Sequence, residues 1–304
     1  MDEGFQSRLL AQLERLANGL EAVANALSSS DTASVRPSNS ATEGSTMVNS
    51  HGPNDPVTSP AVAALNSRGI RIKVLPPPSE GDELFDRFSM FLGDRYNHLS
   101  DLLRWLKRCM QGGDRFTMNL RSTPQEHITS ICQFCGDLHK AAFLTSFRYS
   151  KSPLFKLEAT VSNAPHVQKL LGGHWLERYV VLTVCRHGIT DLLLNPQVIL
   201  PNGDDFELDI FATDIHGEPL WIEAKTGDYQ NHVVKYSKMA RVLGLNRERS
   251  ILLVPDLPRD QCRSLGGLYG LTVLNMEMWH GMWGPNSPKR GSSEPTVSTG
   301  FPGQ

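Results

Sequence analysis

Two short apolar segments, FELDIFAT at 206–213 and LWIEAKT at 220–226, constrain the fold more than any other feature of the sequence. Both are rich in apolar residues with charges interspersed, and the turn-forming residues DIHGEP separate them, so they predict a β-hairpin. Side chains two positions apart in a strand point the same way, which places Glu223 and Lys225 on one face. A buried charge is costly unless it is paired or bound to a metal, so both side chains need a partner.

Asp209, in the first strand of this hairpin, is the predicted partner. Antiparallel pairing brings Asp209 and Glu223 to one edge of the sheet, where two carboxylates form a hard-oxygen site that suits Mg²⁺ or Mn²⁺ and does not suit zinc. The backbone carbonyl of Ala224 is a further candidate ligand. A lysine at such a site, here Lys225, orients and deprotonates an attacking water or stabilises charge on a phosphate. The alternative is a surface ion pair between Glu223 and Lys225 on a half-exposed strand.

Asp209 followed by the tripeptide Glu223-Ala224-Lys225 resembles the D…(D/E)xK signature of the PD-(D/E)xK nuclease superfamily, which includes restriction endonucleases and RecB-type nucleases. The upstream segment GGHWLERYV (172–180) is similar to a G-x-W-L-E element in one branch, the nuclease domains of CRISPR-associated effectors activated by cyclic oligoadenylate. In that branch ELD and E-x-K-T-G recur, as ELDI and EAKTG do here. The resemblance covers roughly residues 165–280.

The resemblance implies roles for four residues: Glu177 as a helix-borne acid, Asp209 and Glu223 as metal ligands, and Lys225 as the catalytic lysine. It implies a metal-dependent endonuclease that uses Mg²⁺ or Mn²⁺. The effectors carry a Rossmann-like ligand-sensing domain where this chain has a heptad helix and a polar segment, so activation by a cyclic nucleotide is not expected.

A helix after the site is a candidate for contacting substrate. Lys235 and Lys238 lie three residues apart, so they share a helix face and are candidates to bind phosphates of a nucleic acid. A solvated helix face is the alternative. Gln230 and Tyr236 are similar to the Gln/Tyr helix motif of RecB-type nucleases.

The predicted fold class is α/β, with a restriction-endonuclease-like mixed sheet flanked by helices over residues 161–284. One helix is expected over HVQKLLGGHWLERYVVLTVCRHG at its start. Residues 79–160 read as helix, helix, helix and hairpin, which is the order of a winged-helix-like module. Its third helix is predicted to open at Thr123 with Glu126 completing a capping box. Cys132 and Cys135 form a lone CxxC with no second pair, so they are assigned to the core.

The ends of the chain have a different character. Residues 1–28 predict a helix with a heptad seam at Leu9, Leu13, Leu16, Leu20, Val23 and Leu27. A coiled coil between protomers, and hence a homo-oligomer, is expected, and docking onto the chain's own body is the alternative. Residues 29–78 and 285–304 are rich in Ser, Thr, Pro and Gly without periodicity, and they are predicted to be a disordered linker and tail.

Composition limits the function classes. The 304 residues carry 30 basic and 32 acidic side chains, a formal charge of −2, so nucleic-acid binding must rely on a local patch. Five irregularly spaced cysteines, no secretory signal and no long apolar run indicate a cytoplasmic protein without a membrane partner. We expect a metal-dependent nuclease acting on DNA or RNA, with a role in defence. A nucleic-acid-binding scaffold with an inert nuclease-like domain is the alternative.

Overall fold

A computed structural model of the protein describes residues 59–76, 83–112, 115–285 and 287. The predicted heptad helix, with the homo-oligomer that it implies, lies outside the described residues, as do most of the linker and almost all of the tail. Every helix within the described ranges is too short or too polar to cross a lipid bilayer.

The described chain is an α/β structure in which helices flank three β-sheets. The α-helices are α1 (Pro60–Asn66), α2 (Glu83–Asp94), α3 (Tyr96–Gly112), α4 (Gln125–Lys140), α5 (Pro165–Lys169), α6 (Trp175–Arg186), α7 (Val233–Val242), α8 (Arg259–Tyr269) and α9 (Met276–Trp283). A π-helical turn (Leu170–His174) joins α5 to α6, and a 3-10 turn (Arg247–Arg249) precedes β10. The strands are β1 (Arg71–Val74), β2 (Arg115–Asn119), β3 (Leu144–Ser150), β4 (Lys156–Val161), β5 (Asp191–Leu194), β6 (Gln197–Ile199), β7 (Asp205–Glu207), β8 (Ile210–Thr213), β9 (Pro219–Ala224), β10 (Ser250–Leu253) and β11 (Thr272–Leu274).

The largest sheet has five strands in the order β11-β10-β9-β8-β5. Strands β11, β10 and β9 run parallel to one another. Strand β8 pairs antiparallel with β9, and β5 pairs antiparallel with β8. Strand β9 lies at the centre with every residue buried, because sheet neighbours and helices cover it on all sides. The predicted fold class, a mixed α/β sheet flanked by helices, is confirmed.

The segment 206–213, predicted as one strand, is two. Strand β7 belongs to a small sheet of order β1-β6-β7, whereas β8 belongs to the five-stranded sheet. The chain changes sheets at Leu208, which is fully buried and donates its N–H to the carbonyl of Pro196 at 3.2 Å. Glu207 therefore ends β7, and Asp209 precedes β8, so the two acids do not lie in one strand.

Residues 59–76 fold, so the linker predicted over 29–78 is wrong along this stretch. Helix α1 is held at its start by Asp191, whose carboxylate accepts hydrogen bonds from Ser59 Oγ at 2.5 Å and from the Ala61 N–H at 2.7 Å. Leu65 and Ile70 are fully buried, and β1 pairs with β6. The polar composition of the whole segment masked this short apolar run.

Residues 83–161 contain α2, α3, β2, α4 and the hairpin β3–β4, with the sheet order β2-β4-β3. The predicted hairpin is confirmed, and β2 is an addition that the sequence pattern did not indicate. The winged-helix designation stays a prediction. One hydrophobic core runs from this part of the chain into the five-stranded sheet, because α2 packs directly on α6.

The contact between α2 and α6 depends on a glycine. A Cβ atom at Gly93 would lie 2.2 Å from the ring of Tyr179, which is fully buried and donates its hydroxyl proton to Asp94 Oδ1 at 3.1 Å. Only a residue without a side chain allows the two helices to approach this closely.

We expect Gly93→Ala to lower the free energy of unfolding by about 1–3 kcal/mol, because the added methyl group forces the Tyr179 ring away. Gly136→Ala is the matched control: a Cβ there meets no atom within 4 Å, and alanine favours the helix by up to about 1 kcal/mol. Chemical denaturation of both variants checks this. Equal stability of the two variants would contradict the close packing of α2 on α6.

Candidate metal centre

Asp209 and Glu223 face each other where β8 begins and β9 ends. Ile210 pairs with Ile222 in the antiparallel hairpin, and continuing that register by one residue places Asp209 opposite Glu223. Both side chains are buried, with 5% and 2% of their residue surface exposed. The predicted juxtaposition of the two carboxylates is therefore present, although it arises at a break between strands.

Hydrogen bonds fix both carboxylates. Asp209 Oδ2 accepts the backbone N–H of Ala224 at 2.9 Å, and Glu223 Oε1 accepts the Asp209 N–H and the Trp221 Nε1–H, each at 3.1 Å. Lys225 Nζ lies 3.0 and 2.9 Å from the two Asp209 oxygens and 3.3 Å from Glu223 Oε2. One ammonium group therefore bridges both acids. A surface ion pair on a half-exposed strand is excluded, because Glu223 is enclosed in the central strand.

Burial and mutual charge perturb the titration of these groups. Burial, followed by the negative charge of Asp209, raises the pKa of Glu223 to about 8, although Lys225 acts in the opposite direction. Burial alone would lower the pKa of Lys225, but the carboxylates of Glu223 and Asp209 outweigh it and raise that pKa. Lys225 is therefore a persistent cation between two buried acids. Such costly charge burial is typical of functional sites.

Glu177, the acid implied by the resemblance, lies beside this pair on the first turn of α6. Burial and the charge of Asp209 raise the pKa of Glu177, and the charge of Lys225 acts to lower it. The structure thus brings Glu177, Asp209, Glu223 and Lys225 into one electrostatic cluster.

A break in the preceding helix positions Glu177. The single helix predicted over 166–188 is wrong: α5 and α6 are separated by the π-helical turn, in which Gly173 has φ 139°. A Cβ at Gly173 would lie 2.7 Å from Thr226 Oγ1. Glycine is required here both for its backbone conformation and for the close approach of the segment that follows Lys225.

Asn195 is a site residue that the sequence pattern did not reveal. Its Nδ2 donates to Glu177 Oε2 at 3.2 Å, and its backbone N–H donates to the carbonyl of Asp209 at 2.9 Å. Asn195 adopts a left-handed conformation with φ 51°, which asparagine tolerates better than most residues.

Lys107 is the second residue that was missed. Its Nζ donates to the carbonyl of Thr226 at 2.8 Å and so ties α3 to the segment directly after Lys225. Burial lowers the pKa of Lys107, while the charge of Asp256 acts to raise it. The two bonded residues are 119 positions apart, and no local pattern connects them.

Helix α7 presents Tyr236, a residue of the predicted Gln/Tyr motif, to the site, and not the two lysines predicted to bind substrate. Lys235 and Lys238 are exposed, and Lys235 Nζ lies 4.4 Å from the centre of the Phe206 ring. Tyr236 is the residue of α7 that reaches the cluster, with its ring centre 5.9 Å from Lys225 Nζ. The assignment of the two lysines to substrate binding stays a prediction.

The donor set fits a hard divalent cation. Asp209 and Glu223 offer carboxylate oxygens that now face an ammonium group, and Ala224 adjoins them through its backbone. Among the described residues, the buried Oδ1 of Asn195 meets no hydrogen-bond donor. Carboxylate and carbonyl oxygens are the ligands that Mg²⁺ and Mn²⁺ prefer.

A cavity of about 290 Å³ adjoins the cluster on the side of Glu177 and Asn195. Lys169, His166 and His174 also line it. The acid Asp86 and the apolar Phe85 and Leu194 contribute to the lining, so the opening next to the buried acids is of mixed character.

No protein family and no curated protein sequence matches the chain. The solved structures to which the chain is similar include the following two. Protein VC1899 from Vibrio cholerae is 20% identical over 74% of this chain and 60% of its own, with a TM-score of 0.47. Can2 from Sulfobacillus thermosulfidooxidans, in complex with cyclic tetra-adenylate, is 13% identical over 72% of this chain and 57% of its own, with a TM-score of 0.50. The chain spans less than two thirds of the length of either protein, and the likeness to Can2 establishes a related fold.

The raised pKa of Glu223 predicts how stability depends on pH. In the unfolded chain this carboxyl ionises near its ordinary value of 4.5, and in the fold it does so near 8. Between these values the folded state binds the extra proton, so without divalent cations the free energy of unfolding should fall as pH rises, by at most about 1.4 kcal/mol per pH unit. Glu223→Gln keeps the acceptor for Trp221 and removes the charge, so it should flatten this dependence.

Denaturation of both proteins in EDTA across this pH range checks the prediction. If the free energy of unfolding of the wild type depended on pH as little as that of Glu223→Gln, the raised pKa of Glu223 would be contradicted.

Proposed function

We propose that this protein is a metal-dependent nuclease that hydrolyses phosphodiester bonds of DNA or RNA, with a role in defence against foreign nucleic acid. The observation that carries the proposal is the triad of Asp209, Glu223 and Lys225, in which one ammonium group contacts two buried carboxylates at 2.9–3.3 Å. A structural protein gains little from three charges at the end of a central strand, because replacement by apolar residues is often neutral or stabilising.

Asp209 and Glu223 would hold Mg²⁺ or Mn²⁺, with the carbonyl of Ala224 as a further ligand. The cation, when bound, polarises the phosphodiester and makes water a better nucleophile. Asp209 is oriented for this role by the N–H of Ala224, and Glu223 by the indole of Trp221.

Lys225 acts as a charge-stabilising donor in this proposal. Its raised pKa keeps it protonated, which favours donation to a phosphate oxygen over the removal of a proton from water. Glu177 is the better candidate to accept a proton, because it lines the cavity beside the two carboxylates, and burial followed by the charge of Asp209 raises its pKa.

The substrate backbone would enter through the cavity beside Glu177. Lys169, His166 and His174 provide cationic or hydrogen-bonding groups there, as recognition of a phosphate backbone requires. Lys235 and Lys238 are proposed to extend this contact along α7. The fold shared with Can2, which was solved with cyclic tetra-adenylate, and the sequence resemblance support the assignment to defence.

Cleavage assays test the proposal. The full chain is incubated with plasmid, single-stranded DNA and RNA, each with Mn²⁺ and with EDTA. We expect cleavage of at least one substrate with Mn²⁺, none with EDTA, and losses of about 100-fold or more in Asp209→Asn and Lys225→Met, because each removes a group that contacts the reacting centre.

Glu207→Gln is the matched control, since it removes an exposed acid two residues before Asp209. Circular dichroism should show that all three variants are folded. Undiminished cleavage by Asp209→Asn would overturn the assignment, and metal-independent binding of nucleic acid without cleavage would favour the inert scaffold.

A further inference from the structure

A second group of metal-binding side chains lies within residues 83–161, away from the carboxylate cluster. His98 of α3 and Glu126 and His127 of α4 bring one ligand atom each to within 4.8 Å of one another. The two histidines also line a cavity of about 340 Å³ with Arg104, Trp105 and Arg108. None of these residues takes part in the proposed hydrolysis.

A hydrogen bond to Ser130 is available to fix the tautomer of His98. Ser130 is buried, and its hydroxyl donates to the carbonyl of Glu126 at 3.0 Å. The same oxygen lies 3.0 Å from His98 Nδ1 and can accept there in the tautomer with the proton on Nδ1. In that neutral tautomer, Nε2 carries the lone pair. Metal-binding histidines show this arrangement, with one nitrogen donating to a fixed partner and the other left for the metal.

The ring of His127 stacks on that of His98, with centres 4.2 Å apart and planes inclined by 24°. Because the lone pair of each imidazole lies in its own ring plane, a change of ring rotamer is needed to aim a nitrogen of both rings at one ion. His127 Nε2 lies 3.9 Å from Glu126 Oε1, which brings a carboxylate to the same place.

The Glu126 side chain can change its rotamer, as binding of a metal ion together with the two histidines requires. The capping box predicted for this residue is wrong, because α4 begins at Gln125 and its cap residue, Pro124, makes no side-chain hydrogen bond. The Glu126 side chain is 72% exposed, so a change of rotamer can close the gap between ligands without disturbing the core.

We propose that His98, Glu126 and His127 bind a zinc ion that links α3 to the first turn of α4. Two imidazoles and one carboxylate suit zinc, which takes such ligands at about 2.0–2.2 Å and leaves a fourth position for water or an anion. Arg108 lines the same cavity and favours an anion in that position, whereas Arg104 is paired with Asp101 of the same lining at 2.5 Å. The carboxylate cluster, with oxygen ligands alone, selects harder cations.

Cys132 and Cys135, the CxxC pair of the sequence, do not compete with these three residues for a metal ion. Cys135 is fully buried in the core and Cys132 is partly buried against it, while His139 Nδ1 is engaged with the carbonyl of Leu144 at 2.9 Å. The assignment of Cys132 and Cys135 to the core is confirmed.

The full chain is titrated with Zn²⁺ by calorimetry in excess Mg²⁺, and with Co²⁺ while the visible absorption of tetrahedral cobalt is followed. We expect one equivalent of Zn²⁺ to bind, a cobalt spectrum with nitrogen and oxygen ligands, and affinity losses of about 10-fold or more in His98→Gln and His127→Gln. Glu126→Ala, at an exposed position, should weaken binding without affecting the fold.

Two controls separate this site from others. His216→Gln removes an exposed histidine from the turn between β8 and β9, and Asp209→Asn alters the carboxylate cluster; both should bind Zn²⁺ as the wild type does. The proposal would be overturned if the wild type failed to bind Zn²⁺. It would also be overturned if the three variants His98→Gln, His127→Gln and Glu126→Ala bound Zn²⁺ with the affinity of the wild type. Neither result bears on cleavage, which is measured separately.

Discussion

The bridge from Lys225 to the carboxylates of Asp209 and Glu223 is the interaction on which the site depends. All three groups lie at the end of β9, the central and fully buried strand of the largest sheet. Without a cation between them, two buried carboxylates would repel and each would lose its hydration. The lysine offsets this cost only in part, since the pKa of Glu223 remains raised. The fold thus maintains a site whose charges favour the arrival of a further cation.

The sequence predicted those parts of the site that follow from local periodicity. Alternation along the hairpin placed Asp209 opposite Glu223, and the spacing of two residues joined Glu223 to Lys225. Asn195 and Lys107 could not be predicted, because they reach the site through tertiary contacts that leave no periodic signal. Helix α1 was missed for a related reason. Its Ala61 and Leu65 are buried by tertiary packing, and its start is held by Asp191, more than a hundred residues away, so composition alone does not record these partners.

Residues 83–161 are coupled to the candidate metal centre by direct contacts. Lys107 of α3 donates to the carbonyl of Thr226, the residue after Lys225, and Gly93 of α2 packs on Tyr179 of the helix that carries Glu177. A shift of α3 would therefore move the segment that positions Lys225. The proposed zinc site joins α3 to α4 at His98, on the same helix that carries Lys107.

Anomalous diffraction from crystals grown with Mn²⁺ shows whether Asp209 and Glu223 bind one divalent cation together. We expect a manganese peak at about 2.1 Å from carboxylate oxygens of both Asp209 and Glu223, with Lys225 Nζ displaced from its position between them. Clear density for the two acids with Lys225 still bridging them, and no peak at saturating Mn²⁺, would contradict this expectation.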